Sequence, residues 1–295
     1  MKEKISYSSG PLNSLSPNTD RETLYVIKIG GNIIDDASKL NQFLKKFTEI
    51  KAPPQGIAPA RKILVHGGGK SATQLAEKLG VVQNMVEGRR ITDAETLKIA
   101  IMVYAGYINK NIVAQLQGCG CNAMGLCGAD GNSILAHKRI HPAIDYGFVG
   151  DVDEVNTSVI KNLLDQNITI VFAPVTHNKE GQLLNTNADT IAQELAKAMS
   201  ALYDVELIYL FEKSGVLKDI DDEASVIRKL SRAYYEELKS PIEKTGSSKI
   251  FAGMIPKLDN AFKALDSGVK KVIIGKAEQL KELIIGESGT NIVNE

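Results

Sequence analysis

Lys62 to Leu79, KILVHGGGKSATQLAEKL, holds the fold in miniature. A short apolar run (Ile63, Leu64, Val65) meets three successive glycines, Gly67, Gly68 and Gly69. A helical pattern follows at once, with Ala72, Leu75, Ala76 and Leu79 at i, i+3, i+4 and i+7. Strand, glycine turn, helix is how an α/β protein brings bare backbone N–H groups and a helix N-terminus up to an anion. Gly69-Lys70-Ser71 imitates the end of a P-loop, but that motif needs a glycine five residues before Gly69. Position 64 is Leu, inside the strand. The turn therefore serves another purpose.

The same grammar recurs on both sides. Thr23 to Ile29 (TLYVIKI) is an apolar run broken only by Lys28, the pattern of a strand buried on both faces, and Gly30-Gly31 end it before a helical stretch over Asp35–Phe47. Ala123–Leu126, Ile168–Ala173, Val205–Phe211 and Lys271–Ile274 read as further strands. Helices are expected from Asp93 to about Gln117, from Asn156 to about Gln166, from Ala188 to about Ser200, over Ser231–Lys239, and from Pro256 to Ser267. Buried strands alternating with amphipathic helices predict a mostly parallel sheet covered on both faces. No period of 20 to 50 residues repeats, which excludes a solenoid.

Composition narrows the function. Lys and Arg (35) balance Asp and Glu (35), so no global basic field points to nucleic acid or to a membrane surface. No run reaches the length of a membrane span and no apolar signal core opens the chain, so a soluble, cytoplasmic protein is expected. The three cysteines, Cys119, Cys121 and Cys127, are odd in number and clustered. They suit free thiols in a reducing compartment, and three ligands without a nearby partner make a poor metal site. Residues 1–22, rich in Ser, Pro and Asn without periodicity, read as a mobile arm.

Several polar residues stand where the pattern wants none. Lys28, in the last turns of a buried strand, needs its ammonium compensated. It either pairs with a carboxylate or points from the strand's C-terminal end into a phosphate site beside Gly30 and Gly31, where open α/β sheets bind ligands. Arg89 and Arg90 precede a helix start, and the arginine fork matches a carboxylate bidentately. Asn187 is a helix N-cap with Asp189 in the first turn, which leaves Asn185 unexplained by capping. Lys257, one residue after Pro256, opposes the positive end of its helix dipole, an arrangement that becomes favourable once an anion binds there. Gly118 to Ala123 fits GxGxxA, but it follows a helix and precedes a strand, the reverse of the dinucleotide-binding context.

Lys28-Ile-Gly30-Gly31, His66-Gly-Gly-Gly69, Gly88-Arg-Arg90, Asn185-Thr-Asn187-Ala-Asp189 and Gly253-Met-Ile-Pro-Lys257 occur in that order. Together they resemble the amino acid kinase family, and within it the members acting on N-acylated glutamate. The likeness covers about residues 23 to 292. It implies an open αβα three-layer sandwich, with an acceptor-binding and dimerising half over residues 23–180 and a nucleotide-binding half over 181–295. It further implies transfer of the ATP γ-phosphoryl group, with Mg²⁺ accompanying the nucleotide, to the side-chain carboxylate of an N-acetyl- or N-succinylglutamate in arginine synthesis. Carried over, Lys28 and Lys257 stabilise the transferring phosphoryl group and Asp189 holds them. Gly68, Gly69, Arg90 and Asn185 hold the acceptor, while Gly30, Gly31, Ser214, Gly215, Gly253 and Met254 contact the nucleotide. A homodimer is expected, because the arm before Thr23 lacks the helix through which arginine-inhibited relatives form hexamers.

Two departures stand out. The family's usual Leu-Thr-Asp-Val-x-Gly-Val-Leu is here Leu210-Phe-Glu-Lys-Ser-Gly-Val-Leu217, and Pro174-Val-Thr-His177-Asn178 replaces a smaller run. The Arg89/Arg90 pair or His177 is a candidate contact for a second acyl carboxylate. Competing readings are another family member (a carbamate, glutamate-5, aspartate or uridylate kinase) and a catalytically silent binder of small acids.

Overall fold

The structure, a computed structural model, describes residues 21–51, 60–86, 89–219, 221–245 and 254–294. The expected arm lies outside these residues apart from Arg21 and Glu22.

β1 (Thr23–Ile29) runs into one helical turn, α1 (Gly31–Ile34), and then α2 (Ala37–Thr48). Asp36 caps α2, its carboxylate accepting from the N–H groups of Ser38 and Lys39 at 2.9 and 3.0 Å. β2 (Arg61–His66) passes through Gly67 and Gly68 straight into α3 (Gly69–Lys78), as the opening stretch predicts. The polar turn before Asp93 is a small hairpin, β3 (Met85–Val86) with β4 (Arg89–Arg90). The long helix after Asp93 forms as α4 (Ala94–Ile101) and α5 (Asn109–Gly118), joined by π-helical turns over Met102–Ile108. β5 (Ala123–Leu126), β6 (Ile134–Lys138) and β7 (Val149–Val155) follow, then α6 (Thr157–Asp165), capped by Asn156. β8 (Thr169–Phe172), β9 (Val175–His177) and β10 (Leu183–Thr186) lead to α7 (Ala188–Met199) and β11 (Asp204–Phe211). The chain closes with β12 (Lys229–Ser231), α8 (Arg232–Thr245), α9 (Ile255–Asp266), β13 (Lys271–Lys276), α10 (Leu280–Ile284) and β14 (Thr290–Val293).

Eight strands form one sheet in the order β12-β14-β13-β11-β1-β2-β8-β5. The six from β13 to β5 are mutually parallel, and β14 runs antiparallel to β13. Alternate residues of β1 enter two separate cores, which is why its sequence is apolar at nearly every position. Leu24 and Val26 pack with residues of α6, α7, α8 and α9, while Tyr25, Ile27 and Ile29 pack with residues of α2, α3, α4, α5 and α10. This is the three-layer sandwich expected. Lys28 continues the first of these series and so lies under α7 and α9.

The sequence announces the second sheet only in part, through the strand-like stretch Phe148–Asn156 that contains β7. β10, β7, β6 and β9 close into a small barrel. β7 (VGDVDEV) is half polar, and no strand was expected at Ile134–Lys138. Inside, the Thr176 and Thr186 hydroxyls hydrogen-bond at 2.7 Å, and a Cβ at Gly150 would lie 2.6 Å from Thr186 Oγ1. A barrel so narrow fills itself with small and hydroxyl side chains, which weakens the alternation that marks a strand. No described helix is long and apolar enough to cross a membrane.

Candidate active site

The chain steps outward from β1 in both directions, to β2 on one side and β11 on the other, so the C-terminal ends of β1 and β11 flank a topological switch point. Ligands of open α/β sheets bind in the crevice there. A cleft of about 1000 Å³ opens at this place, lined by Lys28, Gly30 and Gly31, by Gly67 to Gly69, and by residues from the starts of α7 and α9. That volume exceeds what one small acid needs and suits two ligands end to end.

At the centre, Lys28 Nζ lies 2.7 Å from Asp189 Oδ1 and Lys257 Nζ lies 3.8 Å from Asp189 Oδ2. β1, α7 and α9 each supply one member, and the α7 N-terminus carries Asp189 because Asn187 caps it, accepting from the N–H groups of Asp189 and Thr190. Burial alone would push the Asp189 carboxyl up, but Lys28 and Lys257 outweigh it and hold it below the usual carboxylate range. Burial lowers the Lys257 ammonium, Asp189 opposes that shift, and the charge of Lys28 adds to it. Two ammoniums against one carboxylate leave one net positive charge facing the cleft. Lys28 is thus paired with a carboxylate and also lines the cleft.

One end of the cleft gathers hydrogen-bond donors around Gly67 to Gly69. Gly68 has φ 151°, and a Cβ there would stand 2.4 Å from Ile108 Cδ1. Only glycine lets α3 begin so close to the π-helical turns. The first N–H groups of α3 have no intrahelical acceptor and face the cleft as an anion site. Arg90 leans over them, donating to Gly69 O at 3.1 Å, to Thr73 Oγ1 at 2.5 Å and to the Tyr104 hydroxyl at 3.4 Å. Its buried Nε has no hydrogen-bond partner among the described residues, the state of a donor awaiting a ligand. Asn185 also lines the cleft and is steadied by donating to Thr92 Oγ1 at 3.0 Å.

His66 fixes this end from below. It is fully buried, and burial takes its pKa down to about 4, so the imidazole is neutral. Nδ1–H donates to Gly67 O at 2.8 Å, and Nε2 accepts from Asn109 Nδ2 at 3.2 Å. Asn109 in turn donates to Val171 O at 2.9 Å. The glycine turn is thus tied through His66 to the helical rod and to β8. His66 stood inside the motif quoted from sequence, but nothing local assigned it this task.

Of the residues singled out from sequence, Lys28, Gly30, Gly31, Gly68, Gly69, Arg90, Asn185, Asp189 and Lys257 all line the one cleft. Ser214, Gly215 and Met254 are not among its lining residues. Ser214 Oγ donates to Glu223 at 3.2 Å, and Gly215 packs so tightly that a Cβ would stand 2.6 Å from Thr290 Oγ1. Met254 packs against the core under α9. Gly253, Gly88 and the Arg89 side chain lie outside the described residues. His177 donates from Nε2 to Asn132 Oδ1 at 2.9 Å and is likewise absent from the wall. Arg139, which the sequence did not mark, is present there, held by Asp151 with Nη2–Oδ1 at 2.5 Å.

No group of three or more His, Cys, Asp or Glu among the described residues is arranged to hold a metal ion. Asp189 is engaged by lysines, and Asp259 is bonded to the Tyr235 hydroxyl. The arrangement can bring two anions together and neutralise them, with no group placed as a general base at its centre.

A family model described as the amino acid kinase family matches residues 23–276. The chain is 54% identical over 264 residues to acetylglutamate kinase of Cytophaga hutchinsonii, covering 89% of this chain and 95% of that protein. It is 50% identical to acetylglutamate kinase of Bacteroides thetaiotaomicron, with 89% and 96% covered, and 36% identical to that of Methanopyrus kandleri, with 87% and 96% covered. Among solved structures, an N-acetylglutamate synthase from Neisseria gonorrhoeae superposes with TM-score 0.74 at 22% identity, over 93% of this chain and 60% of that one. Carbamate kinase from Giardia lamblia bound to AMP-PNP superposes with TM-score 0.63 at 16% identity, over 93% and 99%. These structural likenesses concern the fold, and this chain spans only about three fifths of the synthase.

Proposed function

The chain belongs to the amino acid kinase family, and on that premise we propose that it transfers the γ-phosphoryl group of ATP to the side-chain carboxylate of N-acetylglutamate, a step of arginine synthesis. The observation that carries this reading is the Lys28–Asp189–Lys257 cluster, set between one glycine turn at Gly30-Gly31 and another at Gly68-Gly69.

The chemistry follows from charge. The acceptor carboxylate is already ionised, so one of its oxygens attacks the γ-phosphorus directly, while the bond to the β,γ-bridging oxygen breaks and ADP departs. What opposes the step is repulsion between two anions and the charge spread over the transferring group. Lys28 and Lys257 supply fixed positive charge there, and Asp189 keeps both aimed without cancelling them. Gly30, Gly31 and the N-terminus of α1 offer backbone donors to the phosphates. The N-terminus of α3 and Arg90 hold the acceptor for in-line attack. Mg²⁺ bound with ATP would supply further neutralisation of the phosphate oxygens. Residues 23–180 serve the acceptor and subunit contact, residues 181–295 serve the nucleotide, and the working unit is a homodimer in the cytoplasm.

The acyl group is the finer question. A succinyl group would bring a second carboxylate that needs a cation, and Arg139 and Lys263 are cleft-lining cations not given to the reacting groups. Asp151 already engages the Arg139 guanidinium, so there the longer acyl group would have to share or displace an ion pair. The smaller acetyl group meets no such demand. ADP release measured side by side with N-acetylglutamate, N-succinylglutamate and free glutamate tests the assignment. The expected order of kcat/KM is N-acetyl first and free glutamate far last. A clear preference for N-succinylglutamate would reverse the acyl assignment, and no turnover of either acylated glutamate would overturn the reading. Sedimentation with and without arginine tests the homodimer.

A further inference from the structure

We propose that Phe211 is a positioning residue for phosphoryl transfer, holding the Lys257 ammonium on the face of its ring. This rests on the assignment of Lys28 and Lys257 to the transferring phosphoryl group. Lys257 Nζ stands 3.7 Å from the Phe211 ring centroid, and Lys28 Nζ stands 5.5 Å from the same centroid. Both lie within the range at which the negative face of an aromatic quadrupole attracts a cation.

The ring is fixed by the fold. Phe211 is the last residue of β11, on the strand next to that of Lys28. Tyr209, two residues earlier on the same face, pairs in register with Lys28 and is fully buried. The Tyr209 and Phe211 rings lie nearly parallel, 14° apart with centroids 6.3 Å apart, and the Tyr209 hydroxyl donates to the Asp189 carbonyl at 3.3 Å. Two stacked rings thus form a shelf at the end of β11, with Asp189, Lys28 and Lys257 above it.

A ring solves a specific electrostatic problem. Asp189 sits 2.7 Å from Lys28 but 3.8 Å from Lys257, so it steadies the second lysine less. A further carboxylate would hold Lys257 in place, yet it would cancel the net positive charge that the phosphoryl group needs. An aromatic face attracts the ammonium and carries no net charge. Phe211 restrains Lys257 from one side and leaves its remaining donors for Asp189 and the phosphate. The charged groups facing Lys257 are then Asp189 on α7 and Lys28 on β1, with Asp259 and Lys263 of α9 farther along the same cleft wall.

The test compares kcat, KM for each substrate, and the pH profile of kcat in Phe211→Leu, Phe211→Tyr, Lys257→Ala and enzyme carrying ring-fluorinated phenylalanines at position 211. Fluorination keeps the ring's shape and drains its quadrupole, so it reports the electrostatic contact even if Phe211→Leu does not fold. Phe211→Leu is expected to lower kcat about tenfold with much smaller changes in KM. Its alkaline limb moves to lower pH, because losing the ring disfavours the protonated amine and activity is lost as pH rises through the pKa of Lys257. Phe211→Tyr keeps kcat within about twofold, and stepwise fluorination lowers kcat stepwise. Unchanged kcat and an unmoved alkaline limb across the fluorinated series, with Lys257→Ala still inactive, would overturn the role of Phe211 alone. Full activity in Lys257→Ala would overturn the assignment beneath it as well.

Discussion

Ser71 Oγ donates to Asp35 Oδ1 at 2.7 Å. That bond joins the first turn of α3 to the end of α1, and so couples the glycine turn at Gly67–Gly69 to the glycine turn at Gly30-Gly31. Gly67 N–H, donating to Ile29 O at 3.1 Å, adds a backbone link between the same two turns. Ser71, part of the stretch that imitates a P-loop, is in the fold a strut. Ser71→Ala is expected to lower kcat about threefold to tenfold with little loss of stability, since the bond is exposed and misplacing two reactants is costly. Steady-state kinetics beside a thermal melt separates the two effects.

Asp189 should matter as much as the lysines it holds. Lys257→Ala or Lys28→Ala removes a charge from the developing transition state, and losses of about 10² to 10³ in kcat are expected for each. Asp189→Asn removes the shared anion and leaves two like charges facing each other in a buried site, so both lysines shift from their places. A comparable fall in kcat, with KM for N-acetylglutamate changing by less than about fivefold, is expected. Normal turnover in Asp189→Asn contradicts the role given to this carboxylate.

His66 gives the fold an acid-side weakness. Its pKa is depressed in the folded state, to about 4 from an ordinary 6.5, so between those values the unfolded chain binds the proton and the native chain does not. The stability contributed by the neutral, buried ring is complete above pH 6.5 and is lost as pH falls toward 4. The full span is on the order of 3 kcal/mol. His66→Gln, which keeps a donor and an acceptor but cannot titrate, should therefore compare more favourably with the native protein at pH 5 than at pH 7.5 in urea unfolding. A stability difference independent of pH excludes His66 as the titrating group.

Gly68→Ala tests the close approach at the acceptor end. The new Cβ would meet Ile108 Cδ1 at 2.4 Å and Tyr104 at 3.0 Å, on a backbone whose φ of 151° L residues rarely adopt. Relief requires moving the α3 start or the π-helical turns. A destabilisation of about 1–3 kcal/mol and a rise in KM for the acceptor of at least tenfold are expected. Gly69→Ala is the control for stability alone, since a Cβ there has nothing within 4 Å and no loss of stability is expected.

Much of this site could be read before any coordinates. Lys28 was visible because a lysine interrupts a strand that is otherwise apolar at every position, and Gly67 to Gly69 because three glycines join a strand to a helix. Lys257 and Asp189 were visible as charges in first helical turns. Arg139 was hidden because it follows a strand, Ile134–Lys138, too short to stand out in the sequence, and only the barrel brings it to the cleft. Phe211 looked like a departure from a pattern rather than a part of the site, because an aromatic at a strand end is ordinary.

The amino-acid sequence by itself determined the buried central strands and the helices that cover them: which segments are buried on two faces, where turns need glycine, which helix starts carry charge. Those are local consequences of side-chain periodicity and backbone sterics. Only the tertiary structure decided that β11 pairs with β1 while β2 takes its other side. Strand order depends on which edges meet, and periodicity does not encode it. That order brings Lys28, Asp189, Lys257 and the Phe211 ring to one point and leaves a single positive charge there, in a cleft wide enough for two anions.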